Sequence, residues 1–391
     1  MKIVLLQDDF PPESKGGAGM LVGSLAKALK QNGHEVVVIA ATQDVAKVGK
    51  GEWEGVVVYR IYSDYHERWR GYRSLYNWST IPTVKKLLQE LGPDVVHAHN
   101  IHYHLSYASV RVAKQYTKKV LLTAHDVMLF HYGSFFEHLT GSYKVYWWTL
   151  AKRFTKRFNP LRGLGIHWYL RNVPIIAVSR EQAKALEANG FHADVVYNGI
   201  EPTTASAVEI EQFIKEHELV GKKVVLFVGG VSNKLKGSEQ VLDMFPVVRQ
   251  LVPEAALLIA GTTGNSHDGI IYTGWLSPHT LRAAYGASNV VVFPSIGFDV
   301  FGLVNLEAMA AHKPVVATCF GGAPEIVVDG ETGYVVDPRN TQQFAQRVAE
   351  LLLDEEKAHE MGEKGHARLL QQFSAAHMAR AYERRYASDK P

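Results

Sequence analysis

Short runs of aliphatic and β-branched residues alternate with helical patterns from one end of the chain to the other. Such alternation predicts parallel sheets covered by helices on both faces, an α/β class of doubly wound, Rossmann-like units. The pattern restarts after 198–202, which predicts two units, 1–198 and 199–374, with a last helix near 375–391 that packs back on the first. Strands are predicted at 2–7, 35–40, 56–61, 95–97, 120–124 and 175–178, and then at 224–228, 256–260, 290–293, 314–317 and 333–336.

Open parallel sheets bind ligands at the carboxyl ends of their strands. We therefore expect the chemistry in the loops that face an interdomain cleft. The 391 residues provide enough chain for two ordinary cores.

The amino terminus and the single cysteine suggest a cellular location. Only four strongly apolar residues, 3–6, precede Asp8 and Asp9, which is too short for a signal peptide. No later apolar run approaches the roughly 20 residues that span a bilayer. Cys319 cannot form an internal disulfide, which fits a reducing compartment. A cytoplasmic protein is expected, at most peripheral on the inner face of the membrane.

The net charge of +3 conceals an asymmetry between the two predicted units. Residues 1–198 hold 25 Lys and Arg against 16 Asp and Glu, or +9, whereas the remainder holds 17 against 23, or −6. A basic half and an acidic half suggest different partners. Nucleic acid is not expected, because the excess is modest and no nucleic-acid motif accompanies it.

The segment 297–310 is the most informative part of the sequence. It follows a buried strand and opens a helix, with Asp299 before the helix and Glu307 within it. Free N–H groups at a helix start bind anionic or hydroxyl oxygens, and carboxylates accept hydrogen bonds from sugar hydroxyls. This spacing therefore indicates a carbohydrate-binding or phosphate-binding loop.

This segment resembles the Glu-x7-Glu region of retaining glycosyltransferases of family 4, which have the GT-B fold. The resemblance extends to 321–325, 329–333, 198–200 and the glycines at 16–19, and it covers nearly the whole chain. It implies transfer of a hexose-type sugar from a UDP- or GDP-sugar, with retention and without a metal or other cofactor. The acceptor would be a saccharide, a lipid-linked sugar or a polysaccharide precursor of the cell envelope, bound by the first unit, while the second binds the donor.

The resemblance assigns roles within the second unit. Glu307 would bind the ribose hydroxyls. Asp299 takes the place of the family's first glutamate, which contacts the transferred sugar, and it is one methylene shorter. The backbone amides that would contact the sugar and the diphosphate belong to Val300, Phe301, Gly302 and Leu303.

A second departure from the family pattern concerns the phosphates. In the segment 227–237, Lys236 matches the family lysine, but Gly230 stands where arginine is usual. Two cations near a leaving diphosphate stabilise its developing charge, so the loss of one should matter. Lys234 either compensates or is a solvated surface lysine.

The glycines Gly16, Gly17 and Gly19 follow the first strand. A dinucleotide fingerprint fits poorly, because the strand ends too early and the second strand is not followed by a carboxylate for a ribose. The resemblance implies instead a loop whose amides approach the donor diphosphate. A purely structural turn remains an alternative.

Three polar residues end two neighbouring strands of the first unit. By resemblance to glycogen synthases, which carry a similar His-x-His, His99 would bind the primary hydroxyl of the transferred sugar. His125 and Asp126 are expected on the acceptor side, although a structural histidine is an alternative. His102 and His104 follow and raise the alternative of a zinc site, but no Cys or carboxylate clusters at ligand spacing, so no metal site is expected.

Residues 143–171 contain seven Lys or Arg, eight aromatics and no carboxylate. Trp147, Ala151, Phe154 and Phe158 fall at helical spacing, which predicts an amphipathic helix. Such a helix can lie in an anionic membrane interface, or it can be an ordinary domain helix with a solvated basic face. Both interpretations stay open.

Two other functions compete with sugar transfer. One is a GT-B epimerase or phosphorylase. The other is a catalytically weakened sugar-nucleotide-binding protein, which Asp299 and Gly230 suggest. No Asp-x-Asp and no P-loop occur in the sequence, which argues against metal-dependent GT-A transferases and P-loop hydrolases.

Overall fold

Two mainly parallel sheets organise the chain, and each lies in its own unit. The computed structural model describes residues 1–14, 16–133, 135–155, 157–230 and 234–388. The first unit comprises Met1–Gly199 and the residues from Ala375 onward, and the second comprises Ile200–Ser374. The division falls one residue after the position expected from the sequence. Of the predicted sites, 231–233 and Lys156 lie outside the described residues.

In the first unit the described residues form an eight-stranded sheet of order β3-β4-β2-β1-β5-β6-β7-β8. All neighbouring pairs are parallel except β3 and β4, which form an antiparallel hairpin. The strands are β1 (Lys2–Gln7), β2 (Glu35–Thr42), β3 (Gly49–Trp53), β4 (Val56–Tyr62), β5 (Val95–Ala98), β6 (Lys119–Ala124), β7 (Ile175–Ala177) and β8 (Asp194–Val195).

Helices connect these strands. They are α1 (Gly17–Gln31), α2 (Arg70–Arg73), α3 (Ile81–Leu91), α4 (Ala108–Ala113), α5 (Trp147–Arg153), α6 (Arg162–Tyr169) and α7 (Arg180–Ala188).

The second unit has a six-stranded parallel sheet of order β11-β10-β9-β12-β13-β14. Its strands are β9 (Lys223–Val228), β10 (Ala255–Ala260), β11 (Ile270–Gly274), β12 (Val290–Phe293), β13 (Val315–Thr318) and β14 (Gly333–Val336). Its helices are α8 (Ala207–Glu216), α9 (Ser238–Leu251), α10 (Pro278–Ala287), α11 (Leu303–Ala310), α12 (Ala323–Ile326), α13 (Thr341–Leu353) and α14 (Glu355–Gln372).

The central strands are buried on both faces, which explains why they read as continuous apolar runs. In β1 the four residues from Ile3 to Leu6 are fully buried, and the same holds for Val290, Val291 and Val292 in β12. Burial of this kind places the apolar cores on both sides of each sheet. The polar residues that follow the strands are therefore left at the sheet edges.

The last helix, α15 (Ala375–Ala387), belongs to the first unit. It packs against α1, and Met378, Ala379, Tyr382 and Tyr386 on it are buried. The expectation that this helix packs back on the first unit agrees with these contacts.

Three strands escaped the sequence pattern, for physical reasons. β3 is glycine-rich, charged and largely exposed, and it is held only by its hairpin with β4. β8 has two residues, and β11 is a short edge strand beside β10. None carries the buried apolar run by which a central strand is recognised.

Two helices also differ from the sequence prediction. α1 begins at Gly17, so Gly17 and Gly19 lie in its first turn rather than in a loop. The expected helix with Trp147, Ala151, Phe154 and Phe158 on one face is wrong, because α5 ends at Arg153. The rings of Phe154 and Phe158 lie instead against Tyr132, at centroid distances of 5.5 and 6.1 Å. Aromatic packing therefore turns the chain where periodicity predicted more helix.

Candidate active site

The main charged cluster of the second unit lies where β9 and β12 end. Lys236 belongs to a 3-10 turn, Lys234–Lys236, that precedes α9, and Asp299 lies in the loop before α11. Lys236 Nζ donates to Asp299 Oδ2 at 2.5 Å. The side chain of Asp299 is 16% exposed and that of Lys236 is 38% exposed. The ion pair is therefore shielded on the aspartate side and open to a further anion on the lysine side.

The two groups shift each other's pKa. The Asp299 carboxylate raises the pKa of Lys236 against the opposing effect of burial. Burial would raise the pKa of Asp299, but the Lys236 ammonium and the N–H groups of Phe301 and Gly302 hold it below its usual value. Both groups are thus charged at neutral pH.

Glycines hold the loop that carries Asp299. Gly302, at φ +92°, caps α11, and Gly321 has φ +64°. A Cβ on Gly321 would lie 2.1 Å from the Asp299 carbonyl oxygen, and one on Gly322 would lie 2.6 Å from that of Val300. Gly322 N–H also donates to the Asp299 carbonyl at 2.9 Å. The segment 321–325 therefore serves as the support of the loop, and only glycine allows this approach.

Glu307 lies in the second turn of α11, and its hydrogen-bond partner, Tyr285, lies 22 residues earlier in the chain. The Tyr285 hydroxyl, from α10, donates to Glu307 Oε2 at 2.6 Å. Burial raises the pKa of Glu307, against the effects of the Tyr285 hydroxyl and the Lys236 charge. Among the described residues Oε1 has no hydrogen-bond partner, so one carboxylate oxygen is fixed and the other is available.

Lys234 and Gly230 differ from the ion pair next to them. Lys234 is 73% exposed and its Nζ lies 2.7 Å from Glu239 Oε1, so its charge is already paired on the surface. Gly230 lies in the loop after β9 and carries no side chain that could replace the missing cation. The structure therefore places one lysine, Lys236, in the carboxylate cluster.

In the first unit, polar residues follow three adjacent strands. Asp8 follows β1, His99 follows β5, and His125 and Asp126 follow β6. His99 Nδ1 and His125 Nε2 share a hydrogen bond of 2.9 Å. The second ring nitrogens, His99 Nε2 and His125 Nδ1, are buried without a hydrogen-bond partner among the described residues.

Burial keeps both rings neutral. It lowers the pKa of His125 to about 4 and holds that of His99 well below its usual value, with His97 and His125 adding to the effect. Neutral imidazoles that are fixed by one nitrogen present the other as a single donor or acceptor. This is the chemistry that recognises a hydroxyl group rather than a charged one.

His97 orients this pair from the sheet side. Its Nδ1 bonds the Tyr386 hydroxyl at 2.8 Å and its Nε2 bonds the Thr123 hydroxyl at 2.8 Å. Tyr382 extends the chain to Thr123 at 3.0 Å. The His97 ring lies 4.0 Å from the His99 ring, centroid to centroid. Two tyrosines of α15 thus hold the histidine against which His99 packs.

Asp126 and Asp8 complete the edge in different ways. Asp126 Oδ2 lies 3.3 Å from His102 Nε2, and burial raises the pKa of Asp126 to about 6. Asp8 accepts from the backbone N–H groups of Tyr103 and Leu105 at 2.6 and 2.7 Å. Asp8 therefore fixes the loop after β5. Among the described residues no group of three or more metal-ligating side chains could hold an ion.

The predicted glycines lie at the amino-terminal end of α1. Gly16 is its N-cap residue, and Gly16 and Gly17 are exposed. A Cβ on Gly19 would lie 2.1 Å from Ser14 Oγ and 2.5 Å from the Asp9 carbonyl. Gly19 thus has a packing role, while the exposed backbone of Gly16 and Gly17 lies at a helix start, where N–H groups have no intrahelical partner.

Sequence reasoning missed Tyr285 and Asp8, and it treated His102 only as a possible zinc ligand. Asp8 directly follows the first strand, a position that could have been noticed. Tyr285 lies on another helix, 22 residues before Glu307, and no motif marks it. Only the packing of α10 against α11 brings it to the site.

Two mainly parallel Rossmann-like units with polar clusters at their strand ends form the GT-B architecture of glycosyltransferases. Two family models match the chain: "Glycosyltransferase Family 4" over residues 15–204 and "Glycosyl transferases group 1" over 209–368. The chain belongs to this family of glycosyltransferases. Both models describe glycosyltransferases, so the epimerase alternative is not supported.

Similar proteins agree with this assignment. An uncharacterized glycosyltransferase of Methanocaldococcus jannaschii is 27% identical, over 90% of each chain. The GDP-mannose-dependent alpha-(1-6)-phosphatidylinositol monomannoside mannosyltransferase of Mycobacterium tuberculosis is 26% identical, over 93% of this chain and 92% of the relative. The structure of Anabaena HepE in complex with UDP and glucose is 18% identical, with a TM-score of 0.71 over 98% of each chain.

Proposed function

We propose that this glycosyltransferase moves a hexose from a nucleotide-diphospho-sugar to a saccharide or lipid-linked acceptor, with retention of configuration and without a metal ion. The observation that carries the proposal is the Lys236, Asp299 and Glu307 cluster at the strand ends of the second unit. Its relative from M. tuberculosis is named as GDP-mannose-dependent, and HepE was crystallised with UDP and glucose.

In this proposal the second unit binds the donor. The Lys236 ammonium, which is partly exposed beside Asp299, donates a further hydrogen bond to a phosphate oxygen. Glu307 Oε1 accepts hydrogen bonds from the ribose hydroxyls, while Tyr285 holds Oε2. The N–H groups of residues 300–303 would contact the sugar and the diphosphate, and those of Phe301 and Gly302 also bond the Asp299 carboxylate. A charge-assisted hydrogen bond from Lys236 stabilises the oxygen that becomes negative as the glycosidic bond breaks.

Asp299, which stands in place of the family glutamate, has a partner for each of its carboxylate oxygens. Its Oδ2 bonds Lys236 and its Oδ1 accepts from Phe301 N–H at 3.3 Å. Both oxygens are thus engaged within the loop. We propose that Asp299 acts mainly by orienting Lys236 and the loop amides, and that the amides contact the transferred sugar.

Retention follows from the proposed path of the acceptor proton. The acceptor hydroxyl attacks the anomeric carbon on the face from which the diphosphate leaves, and the leaving phosphate oxygen takes its proton. The bond to the diphosphate breaks as the new glycosidic bond forms, so no side chain has to act as a base. His99, with His125 behind it, holds the primary hydroxyl of the sugar through Nε2.

The first unit would bind the acceptor, with His125 and Asp126 beside it. Its surface also suits a peripheral membrane position on the cytoplasmic side. Trp147 and Trp148 on α5 are 67% and 54% exposed, and Lys152 and Arg153 follow them. Aromatic rings beside cations favour an anionic membrane interface. No described helix is long and apolar enough to cross a membrane.

One assay tests the reaction and its rivals together. The protein is incubated with UDP-glucose, UDP-N-acetylglucosamine, GDP-mannose and related donors, with and without EDTA, and products are followed by proton NMR. Donor hydrolysis or transfer that gives an α-configured product, unaffected by EDTA, is expected. A β-configured product or loss of turnover in EDTA would overturn the mechanism.

A catalytically weakened binding protein is the second candidate, because Gly230 lacks the usual cation and Asp299 is shortened. Calorimetry of the same donors separates it from the enzyme. Tight binding of a sugar nucleotide without turnover in any acceptor extract would favour it.

Co-sedimentation with vesicles tests the membrane part. Wild type is expected to bind vesicles with anionic phosphatidylglycerol, and a Trp147→Ala, Trp148→Ala variant to bind more weakly. A Val208→Ala variant, which changes an exposed apolar residue of the second unit, serves as the control. Absence of wild-type binding at low salt would refute the membrane position and leave the transfer reaction untouched.

A further inference from the structure

A polar cavity lies in the first unit, away from the strand ends that carry His99 and Asp126. Its volume is about 440 Å³, and it lies between the last residues of α4 and those of α6. The segments 114–118 and 170–174 leave these helices and lead into the first residues of β6 and β7. The cavity therefore lies at the amino edge of the sheet, opposite the candidate active site.

The lining of this cavity consists of hydrogen-bond donors without a carboxylate. Three cations, Arg111, Lys114 and Arg171, surround it, and the amides of Gln115 and Asn172 and the indole of Trp168 add neutral donors. None of the three cations forms an ion pair within the described part of the chain. A concave site of this composition is complementary to an anion with several acceptor oxygens.

Two contacts hold the cations in place. The Arg111 guanidinium lies 3.9 Å from the centre of the Trp168 ring, so its flat face is occupied and its N–H edge is left for a ligand. Lys114 Nζ donates to the carbonyls of Arg171 and Asn172 at 2.7 and 3.0 Å. Lys114 thus bonds two backbone carbonyls that follow α6, and neither guanidinium group has a carboxylate partner among the described residues.

The charge of Arg111 also acts on Lys114. Burial, together with the Arg111 charge, lowers the pKa of Lys114. Like charges gathered along one solvent-exposed cavity repel each other, and a bound anion reduces that repulsion. A purely structural role, in which the cations bond backbone carbonyls at helix ends, accounts for Lys114 but not for the two guanidinium groups beside it.

We infer that this cavity is a binding site for a phosphate ester or diphosphate group, separate from the donor site. The group comes either from a soluble phosphorylated compound or from the headgroup of an anionic lipid. Leu164 and Trp168, one turn apart on α6, are exposed beside the cavity and would meet the lipid if the headgroup is the source. The inference does not depend on the transfer reaction, and only its lipid form shares the proposed membrane position.

Pyrophosphate also resembles the diphosphate of the donor and can bind at the donor site. The experiment therefore records NMR signals from residues at the cavity. Deuterated wild-type protein is titrated with inorganic pyrophosphate, and the backbone amide shifts of residues 111–116 and 168–172 are recorded. Saturable shifts are expected for a soluble phosphate source. In parallel, co-sedimentation compares vesicles of phosphatidylcholine alone with vesicles that contain 30% phosphatidylglycerol.

A charge-matched pair of variants assigns the signals to the cavity. Arg111→Gln with Arg171→Gln removes the two guanidinium groups, whereas Lys50→Gln with Lys85→Gln removes two exposed charges elsewhere in the same unit. The cavity variant is expected to lose the pyrophosphate shifts or to bind anionic vesicles at least fivefold more weakly than the control.

Saturable amide shifts at the cavity without vesicle binding identify a soluble phosphate as the ligand. Vesicle binding that is lost in the cavity variant identifies a lipid headgroup. If wild type shows no saturable shift in these amides and the two double variants bind vesicles equally, the inference is wrong. If the cavity variant fails to fold, the pyrophosphate titration of wild type still decides whether a soluble phosphate binds. In the vesicle experiment Arg171→Lys then replaces the double variant. This substitution keeps the charge and tests the guanidinium geometry alone.

Discussion

The titratable groups of the two polar clusters in this glycosyltransferase are accommodated away from water in opposite ways. In the second unit, Lys236 and Asp299 stay charged because each neutralises the other at 2.5 Å. In the first unit, His97, His99 and His125 have no opposite charge within the ring cluster, and burial keeps them neutral. One cluster is built for ions and the other for hydroxyl groups.

This contrast matches the two substrates of a sugar transfer. A diphosphate that gains charge as it leaves needs a cation, whereas the hydroxyls of a sugar or an acceptor need oriented neutral partners. The difference also predicts how each cluster fails. Loss of a charge in the second unit should affect turnover, and loss of a hydrogen bond in the first should affect stability and orientation.

The largest effect is expected for Lys236→Ala. The variant loses the cation near the leaving phosphate and leaves Asp299 buried without its partner, so kcat should fall at least tenfold, about 1.4 kcal/mol in barrier. Steady-state kinetics with the best donor measures it. Lys234→Ala is the matched control and should change kcat less than twofold, because Lys234 is paired with Glu239 on the surface. Equal effects of the two variants would remove Lys236 from the site.

Glu307→Ala should also lower kcat/KM at least tenfold, since it removes the proposed ribose contact. Tyr285→Phe keeps the ring but loses the hydroxyl that fixes Glu307 Oε2. We expect a threefold rise in the KM for the donor with kcat nearly unchanged. A Tyr285→Phe enzyme with wild-type KM would show that Glu307 needs no orientation from α10.

A smaller effect, on stability, is expected for Tyr386→Phe in the first unit. The change leaves His97 Nδ1 buried without its partner, and the free energy of unfolding should fall by about 1 kcal/mol. Urea denaturation measures it, with Tyr72→Phe, at an exposed tyrosine, as the control. A loss no greater than that of the control would contradict the role assigned to the Tyr386 hydroxyl.

The smallest effect concerns pH. Burial raises the pKa of Asp126 to about 6, so the folded protein binds this proton more tightly than the unfolded chain does. The contribution of Asp126 to stability therefore declines as the pH rises from about 4 to 6. Asp126→Asn lacks this decline, and its stability relative to wild type should improve between pH 5 and pH 7. A difference that stays constant over this range would refute the raised pKa.

The fold could be predicted from the sequence more completely than the candidate site of the second unit. Central strands such as β12 carry apolar runs that are readable without a structure, and the loop of Asp299 lies close to Glu307 in the chain. Tyr285, by contrast, reaches Glu307 only through helix packing. Residues Phe154 and Phe158 were misassigned because their spacing is helical, while their rings pack against Tyr132, a contact that no local pattern contains.

The return of α15 to the first unit has a consequence for synthesis. A chain that emerges from the ribosome completes the whole of the second unit before the hydroxyls of Tyr382 and Tyr386 become available to Thr123 and His97. Although the first unit is made first, its histidine cluster must wait for the last helix. Ribosome-bound chains that end before Ala375 should therefore contain a finished second unit and a first unit that is still incomplete.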